Sequence, residues 1–110
     1  MSNAKTVKIQ KLNDLLRTTF MTGLIVKTIG FQSLQKHLQE QFVTLIRVYN
    51  DFTIDNDPYY EHDFGVVILD EIKVFWKIDY YDSTLKWHSP DASDPKVTKR
   101  KVTIMLSSEY

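Results

Sequence analysis

The sequence contains no cysteine, and it has only three glycines and three prolines. Without cysteine there are no disulfides, no thiolate metal ligands and no cysteine nucleophile, so the fold does not depend on a redox compartment. With 43% hydrophobic residues among 110, the chain is expected to form one globular domain. The domain is expected to span residues 1–110, with residues 1–5 as a disordered end or a cloning remnant.

Long hydrophobic runs are also missing. No apolar segment approaches the roughly 20 residues needed to span a bilayer, and the N-terminus lacks the apolar core of a signal peptide. We therefore expect a cytoplasmic protein with no membrane partner. The formal net charge is zero, which argues against a surface built throughout for nucleic acid. The sequence indicates no cofactor, and it does not define the oligomeric state.

The zero net charge hides a strong segregation of charge along the chain. Residues 1–50 carry a net charge of +5, residues 51–94 carry −8 and residues 95–110 carry +3. The acidic middle is densest over residues 51–82, where nine carboxylates and two lysines are interleaved with Tyr, Phe and Trp. Because like charges repel and exposed rings favour association, this segment is the first candidate for function.

Apolar periodicity predicts two helices and a short strand in the first half of the chain. A stripe with helical spacing predicts a helix over residues 6–19, and it consists of Ile9, Leu12, Leu15, Leu16 and Phe20. A β-branched segment over residues 24–28 predicts a strand. Ser33 is the expected N-cap of a second helix, whose apolar face consists of Leu34, Leu38, Phe42, Leu45 and Tyr49.

The second half predicts strands. Residues 64–69 and 72–80 are expected to form a hairpin joined by Asp70 and Glu71. In its second strand, alternation directs Ile72, Val74, Trp76, Ile78 and Tyr80 to the core and leaves Lys73, Phe75, Lys77, Asp79 and Tyr81 outside. Leu85 and Trp87 indicate an edge strand, and residues 95–110 fit helix or strand equally well. The expected fold class is α+β, with two or three helices on a three- to five-stranded, mainly antiparallel sheet.

The leading interpretation of the acidic segment is a protein-binding face. Tyr and Trp often anchor protein interfaces, and a row of carboxylates complements a basic partner or imitates the phosphates of a nucleic acid. The sequence therefore predicts a non-enzymatic factor that binds a protein with a basic surface. The predicted contact residues are Asp57, Tyr60, Glu61, Asp63, Phe75, Asp79, Tyr81 and Asp82.

The alternative is a small metal-dependent hydrolase or nuclease. A histidine flanked by carboxylates can act as general acid or base, and a lysine beside an aspartate can position an anionic group. The residues in these roles are His62, Asp63, Lys77 and Asp79. No metal site is predicted, because Asn56 replaces the glycine that a helix-loop-helix calcium loop requires and His62 replaces its glutamate.

Direct binding of nucleic acid is not expected from the sequence. The cations Lys96, Lys99, Arg100 and Lys101 form one short segment, which gives only a modest phosphate footprint. The rings elsewhere lie among carboxylates, whereas a nucleic-acid surface combines rings with positive charge.

Several motifs resemble a bacterial family of unknown function, number 3768 in its series, that is often carried on plasmids and mobile elements. They include Asn50-Asp51-Phe52-Thr53-Ile54-Asp55-Asn56-Asp57-Pro58, Glu61-His62-Asp63-Phe64-Gly65 and Trp76-Lys77-Ile78-Asp79-Tyr80-Tyr81-Asp82, together with Leu12-Asn13-Asp14. The family is usually spelled with glycine where this sequence has Tyr60. The resemblance implies no activity, but small proteins on mobile elements are often inhibitors of host defence. It suggests an anti-CRISPR or anti-restriction role.

Overall fold

Three helices and a four-stranded sheet make up residues 3–110, the part of the chain that the computed structural model describes. The helices are α1 (Ala4–Thr19), α2 (Ile29–Gln32) and α3 (Lys36–Arg47). The strands are β1 (Leu24–Lys27), β2 (Phe64–Leu69), β3 (Ile72–Tyr81) and β4 (Lys99–Leu106), and a 3₁₀ turn follows at Ser107–Glu109. The expected α+β fold class is confirmed.

The start of the fold lies earlier than the sequence predicts. The side chain of Asn3 caps α1 by accepting a hydrogen bond of 2.8 Å from the backbone N–H of Thr6. Residues 3–5 therefore belong to the fold, which corrects the expectation of a disordered end for them. Met1 and Ser2, to which the same expectation applies, lie outside the described residues.

The sheet has the strand order β1-β4-β3-β2. β3 pairs antiparallel with both β2 and β4, whereas β1 runs parallel to β4. Asp70 and Glu71 join β2 to β3 with φ values of 50° and 65°. Positive φ at both central residues is the geometry of the type I′ turn that suits a two-residue hairpin, so the predicted hairpin is confirmed without an Asn-Gly pair.

The last part of the chain is a strand. Residues 99–106 form β4 between β1 and β3, which decides between the two predictions for residues 95–110. The edge strand expected at Leu85 and Trp87 is not formed, and an isolated bridge between Tyr81 and His88 takes its place. Hydrogen bonds to the Asp82 carboxylate bend this segment into a turn instead.

One face of the sheet carries the core. Every second residue of β3 from Val74 to Tyr80 is buried, as the alternation predicts, together with Val102 and Ile104 of β4. Ile9 and Leu16 of α1, Phe31 of α2 and Phe42 and Ile46 of α3 pack against them. All three helices thus contribute to the same apolar layer on one side of the sheet.

The predicted helix faces need two corrections. On α1 the buried residues are Ile9, Asn13, Leu16 and Arg17, whereas the predicted Leu15 is 46% exposed. Hydrophobic periodicity misses this face because two of its members are polar and are buried with hydrogen-bond partners. The predicted N-cap Ser33 is instead the C-cap of the short helix α2, and α3 begins after Gln35.

Candidate functional site

The acidic loop, residues 51–63, connects α3 to β2 and is fixed by its own polar groups. The Asn56 carboxamide accepts a hydrogen bond from the Thr53 backbone N–H at 2.9 Å and donates one to the Asp51 carbonyl at 2.8 Å. The Asp57 N–H donates to the Thr53 carbonyl at 2.7 Å. These turns explain the Asp and Asn content of the loop, since such side chains bond nearby backbone groups.

Asp57 organises the second half of the acidic loop from inside. Its carboxylate is 4% exposed and accepts hydrogen bonds from the backbone N–H groups of Glu61 and His62 at 3.1 and 3.2 Å. The backbone at Glu61 and His62 is therefore tied to one side chain. Asp57 shapes the loop, and it does not form part of the exposed surface.

Phe52 fastens the loop to the core. Its ring stacks on the His62 imidazole at 3.9 Å between centroids, and its edge meets the rings of Tyr49 and Trp76. The guanidinium of Arg17 lies 5.5 Å from the centroids of both Phe52 and Trp76. The loop thus closes the core on the helix side of the sheet.

His62 lies between two carboxylates. Its Nδ1 atom is 3.0 Å from Asp14 Oδ1, and its Nε2 atom is 3.8 Å from Asp57 Oδ2. Asp14 also accepts a hydrogen bond of 3.0 Å from Arg17, which in turn donates to the carbonyls of Ile46 and Arg47 at the end of α3. Asp14 and Arg17 therefore join α1, α3 and the acidic loop.

A buried polar network centres on Asn13, which is fully buried. Its carboxamide donates to the Tyr80 hydroxyl at 2.8 Å and to the Glu61 carbonyl at 2.9 Å, and accepts from Arg100 Nε at 2.7 Å. The Tyr80 hydroxyl donates to the Glu61 carboxylate at 2.8 Å. Burial raises the pKa of Tyr80 and lowers the pKa of Arg100. The network links α1, the acidic loop, β3 and β4.

Gly65, directly after the acidic loop, is required by close packing. It pairs with Trp76 across the β2–β3 hairpin, and a Cβ atom at this position would overlap the indole ring. The indole therefore lies flat over Gly65 on the core side of the sheet. This contact accounts physically for the glycine that follows Asp63 and Phe64.

Part of the acidic loop faces solvent. Ile54 and Tyr59 are 66% and 78% exposed, and Asp51 and Asp55 are exposed on the same loop. Asp63, at the end of the loop, is half-buried near Glu61, Asp57 and Asp79. Burial and these neighbouring carboxylates raise the pKa of Asp63 to about 6. The loop thus combines exposed apolar side chains with closely spaced negative charge.

The opposite side of the sheet, called here the open face, carries rings and cations. The pairing of β3 with β4 sets Lys77 beside Thr103, Asp79 beside Lys101 and Tyr81 beside Lys99. The pairing of β3 with β2 sets Lys73 beside Ile68, Phe75 beside Val66 and Lys77 beside Phe64. Leu24 and Val26 continue this face on β1 and are more than a third exposed.

Rings on the open face are grouped. Phe64, Phe75 and Tyr110 contact one another with centroid distances of 5.3 to 5.8 Å. Lys77 Nζ lies 6.0 Å from the Tyr110 ring, and Lys101 Nζ lies 5.0 Å from the Tyr81 ring. Glu109 accepts hydrogen bonds from Thr28, Gly30 and Leu106 and so fixes the chain just before Tyr110.

Comparison with protein families gives one match, to the model for a protein of unknown function (DUF3768), over residues 27–109. The chain belongs to the DUF3768 family. A search of curated proteins and a search of solved structures found no match. Within residues 3–110, no helix has both the length and the apolar character that crossing a membrane requires.

The structure bears on Tyr60, where the family is usually spelled with glycine. Tyr60 has φ of 59°, in the left-handed region that glycine adopts most readily. The glycine expected from the family resemblance would relieve this strain. The tyrosine is half-buried, so it is only partly presented to a partner.

The eight predicted contact residues are divided among four places. Asp57 and Glu61 are turned toward the helix side, where they hold hydrogen bonds. Phe75, Asp79 and Tyr81 lie on the open face, and Asp79 forms an ion pair of 3.5 Å with Lys77. Tyr60 and Asp63 belong to the acidic loop. Asp82 accepts hydrogen bonds from Thr84, Lys86 and Trp87, which lower its pKa. The predicted single acidic and aromatic face is therefore not formed.

The residues of the predicted hydrolase are not brought together either. His62 stacks on Phe52 on the helix side, whereas Lys77 and Asp79 lie on the open face. Within the described residues, no group of three or more His, Asp or Glu side chains could hold a metal ion.

Sequence reasoning missed the roles of Asn13, Arg17 and Arg100. Asn13 and Arg17 belong to no motif of known chemistry, and Arg100 was interpreted as part of a basic cluster. Its place in β4 directs it to the core side, between Lys99 and Lys101 on the open face. The resemblance of Leu12-Asn13-Asp14 to the family was the only signal that could have pointed to Asn13.

Proposed function

We propose that this DUF3768 protein is a non-enzymatic protein-binding factor that docks its acidic loop on a basic surface of another protein. The supporting observation is that an ordered loop presents Ile54 and Tyr59, 66% and 78% exposed, together with the exposed carboxylates of Asp51 and Asp55. Apolar side chains displayed in this way favour association over solubility. Because hydrogen bonds already fix the loop, it loses little conformational entropy when it binds.

The charge of the loop defines the chemistry of the partner. Asp51 and Asp55 are exposed, and Asp63 lies near other carboxylates that raise its pKa. A lysine- or arginine-rich surface would relieve this repulsion and steer the encounter. Tyr59 and Ile54 would then supply the apolar anchors at the centre of the contact.

The biological setting of the proposal comes from the family resemblance. Small proteins on plasmids and mobile elements often inhibit host defence, and defence complexes that handle nucleic acid have cationic grooves. An acidic loop could occupy such a groove in place of phosphates. We therefore propose an anti-CRISPR or anti-restriction inhibitor that acts in the cytoplasm.

Site-specific photocrosslinking tests the proposal. Tyr59 is replaced by a photoreactive phenylalanine analogue, and the purified protein is irradiated in a bacterial lysate. The same analogue at Met21, which is 85% exposed and lies outside the loop, is the matched control. We expect position 59 to crosslink one protein through a peptide that maps to a lysine- or arginine-rich surface, and position 21 to give no such product.

Charge reversal completes the test. Asp51→Lys combined with Asp55→Lys should abolish the crosslink at position 59. Asp70→Lys combined with Glu71→Lys changes charge equally at the exposed hairpin turn and should leave the crosslink unchanged. Circular dichroism verifies that each variant is folded. Equal crosslinking from positions 59 and 21, or a crosslink that survives reversal of the loop, would refute the proposal.

A further inference from the structure

We propose that the open face of the sheet binds single-stranded nucleic acid. This surface lies on the other side of the sheet from Phe52, which anchors the acidic loop against Trp76. The inference therefore goes beyond the proposed function and does not depend on it. It rests on three observations: the charge of the open face, the placement of its rings, and the position of two of its lysines, Lys77 and Lys101, beside rings.

The strand register gives the open face a positive charge that the linear sequence conceals. Lys73 and Lys77 come from β3, and Lys99 and Lys101 are added by the neighbouring strand β4. On these two strands one carboxylate, that of Asp79, lies among the four lysines, and it forms an ion pair with Lys77. The sequence argued against nucleic acid because the rings of the acidic segment are surrounded by carboxylates along the chain. In the fold, Asp57 and Glu61 are turned to the helix side, and the Tyr81 ring of β3 lies beside Lys101.

Lysines and rings on the open face occur as adjacent pairs. Lys101 Nζ is 5.0 Å from the Tyr81 ring, and Lys77 Nζ is 6.0 Å from the Tyr110 ring. Tyr110 is 73% exposed. A base can stack on a ring while the ammonium group beside it contacts the adjoining phosphate. Lys77 and Lys101 lie on adjacent strands, since the register partner of Lys77 is Thr103, two residues from Lys101. The two pairs would therefore contact nucleotides of the same strand.

Single strands suit this surface better than duplexes. The faces of bases in a duplex are stacked inside the helix, so exposed rings can contribute little to duplex binding. Flat sheets that display rings are used for single-stranded RNA in RRM domains, where two or three bases stack on the strands. An acidic protein segment would also complement the lysines, but carboxylate side chains do not stack on the rings of Tyr81 and Tyr110 as nucleobases do.

Fluorescence anisotropy with a labelled oligothymidylate and a labelled oligouridylate of about 16 nucleotides tests the inference. We expect both to bind. Duplex DNA of the same length should bind at least tenfold more weakly, because it loses about the binding energy of one base stacked on a ring. If four lysines contact phosphates, raising salt from about 50 to about 200 mM should weaken binding about 50-fold.

Matched variants identify the surface. Lys77→Ala with Lys101→Ala removes two cations from the open face, and Lys8→Ala with Lys11→Ala removes two exposed cations from α1. The first pair should weaken binding at least tenfold and reduce the salt slope by about 1.4, and the second should have little effect. Tyr110→Ala should weaken binding at least about fivefold. Because Tyr110 is highly exposed, this variant is expected to keep the fold.

Three results would overturn the inference. The first is the absence of binding to both single strands at low salt. The second is an equal effect of the two lysine pairs. The third is binding of polyglutamate of matched charge that is as tight as the oligonucleotides and unaffected by Tyr110→Ala, which would assign the face to an acidic protein. None of these results bears on the crosslink at position 59, so the two proposals fail independently.

Discussion

The two sides of the sheet differ in whether their polar and charged side chains are buried or exposed. On the helix side, Asn13, Asp57 and Arg100 are buried, and each makes hydrogen bonds that join separate elements. On the open face, the lysines of β3 and β4 are at least partly exposed, and Lys77 forms an ion pair with Asp79. Charges of the first kind set the shape of the acidic loop and are unavailable to a partner. Charges of the second kind contribute little to stability and remain available for binding.

The strongest test of this contrast is Asn13→Leu. The variant leaves Arg100 Nε, the Tyr80 hydroxyl and the Glu61 carbonyl without their buried partner. We expect a loss of about 3–4 kcal/mol in the free energy of unfolding, measured by urea titration. Lys77→Ala on the open face should change it by less than about 0.5 kcal/mol. Equal losses in the two variants would remove the distinction between the two sides.

Gly65→Ala tests the packing on the core side. The added methyl group would overlap the Trp76 indole, which is fully buried. Overpacking of this kind is expected to cost about 1–3 kcal/mol of stability. Ile68→Thr, at a position of the same strand that is 60% exposed on the open face, is the control in thermal unfolding and should cost less. A neutral Gly65→Ala would show that the indole has another position available.

Asp63 provides a test through pH. Its pKa is raised to about 6 in the fold by burial and by Glu61, so protonation favours the folded state. The stabilising contribution is present below about pH 4 and is lost as the pH rises through about 6. Asp63→Asn should therefore be more stable than the parent protein by about 1 kcal/mol at pH 7, a value reduced for partial solvent exposure.

The same substitution should make no difference near about pH 4, where the parent carboxyl is protonated. Urea titrations at several pH values measure the difference directly. A stability gain that increases toward low pH would contradict the raised pKa. Asp55→Asn, at an exposed position of the same loop, is the matched control.

Asp79→Asn should have the smallest effect on stability, and the direction of its effect on oligonucleotide binding tests the open-face proposal. It removes the carboxylate that pairs with Lys77 and lies opposite Lys101. Loss of this exposed pair should change stability by less than about 0.5 kcal/mol, and it should tighten oligothymidylate binding about threefold. Crosslinking through position 59 should be unaffected. Weaker oligonucleotide binding would contradict the open-face proposal, and loss of the crosslink would return Asp79 to the protein-binding surface.

The sequence predicted those parts of the fold that have a simple period. Alternation along β3 identified the buried Val74, Trp76 and Ile78, and the hairpin at Asp70 was placed correctly. The face of α1 was only partly identified, because burial of Asn13 and Arg17 depends on partners that lie far away in the chain. Residues 95–110 were ambiguous because their pairing with β1 and β3 is what makes them a strand.

The candidate surfaces were harder to predict for the same reason. In the sequence Tyr81 lies between Asp79 and Asp82, whereas its neighbours across the sheet include Lys99 and Lys101. A strand register cannot be read from one sequence segment, since it depends on which strands become adjacent. Asp57 and Asp55 also look equivalent in the sequence, yet hydrogen bonds to the backbone turn Asp57 inward and leave Asp55 in solvent.

β4 lies between β1 and β3, although it is the last of the four strands along the chain. As the protein leaves the ribosome, the β2–β3 hairpin can pair locally, but β1 has no neighbour until β4 emerges. Contacts of such large sequence separation form late, because the intervening chain must first be ordered. A premature stop before β4 would therefore remove the middle of the sheet and leave β1 unpaired, so such a truncated product should be a target for proteolysis.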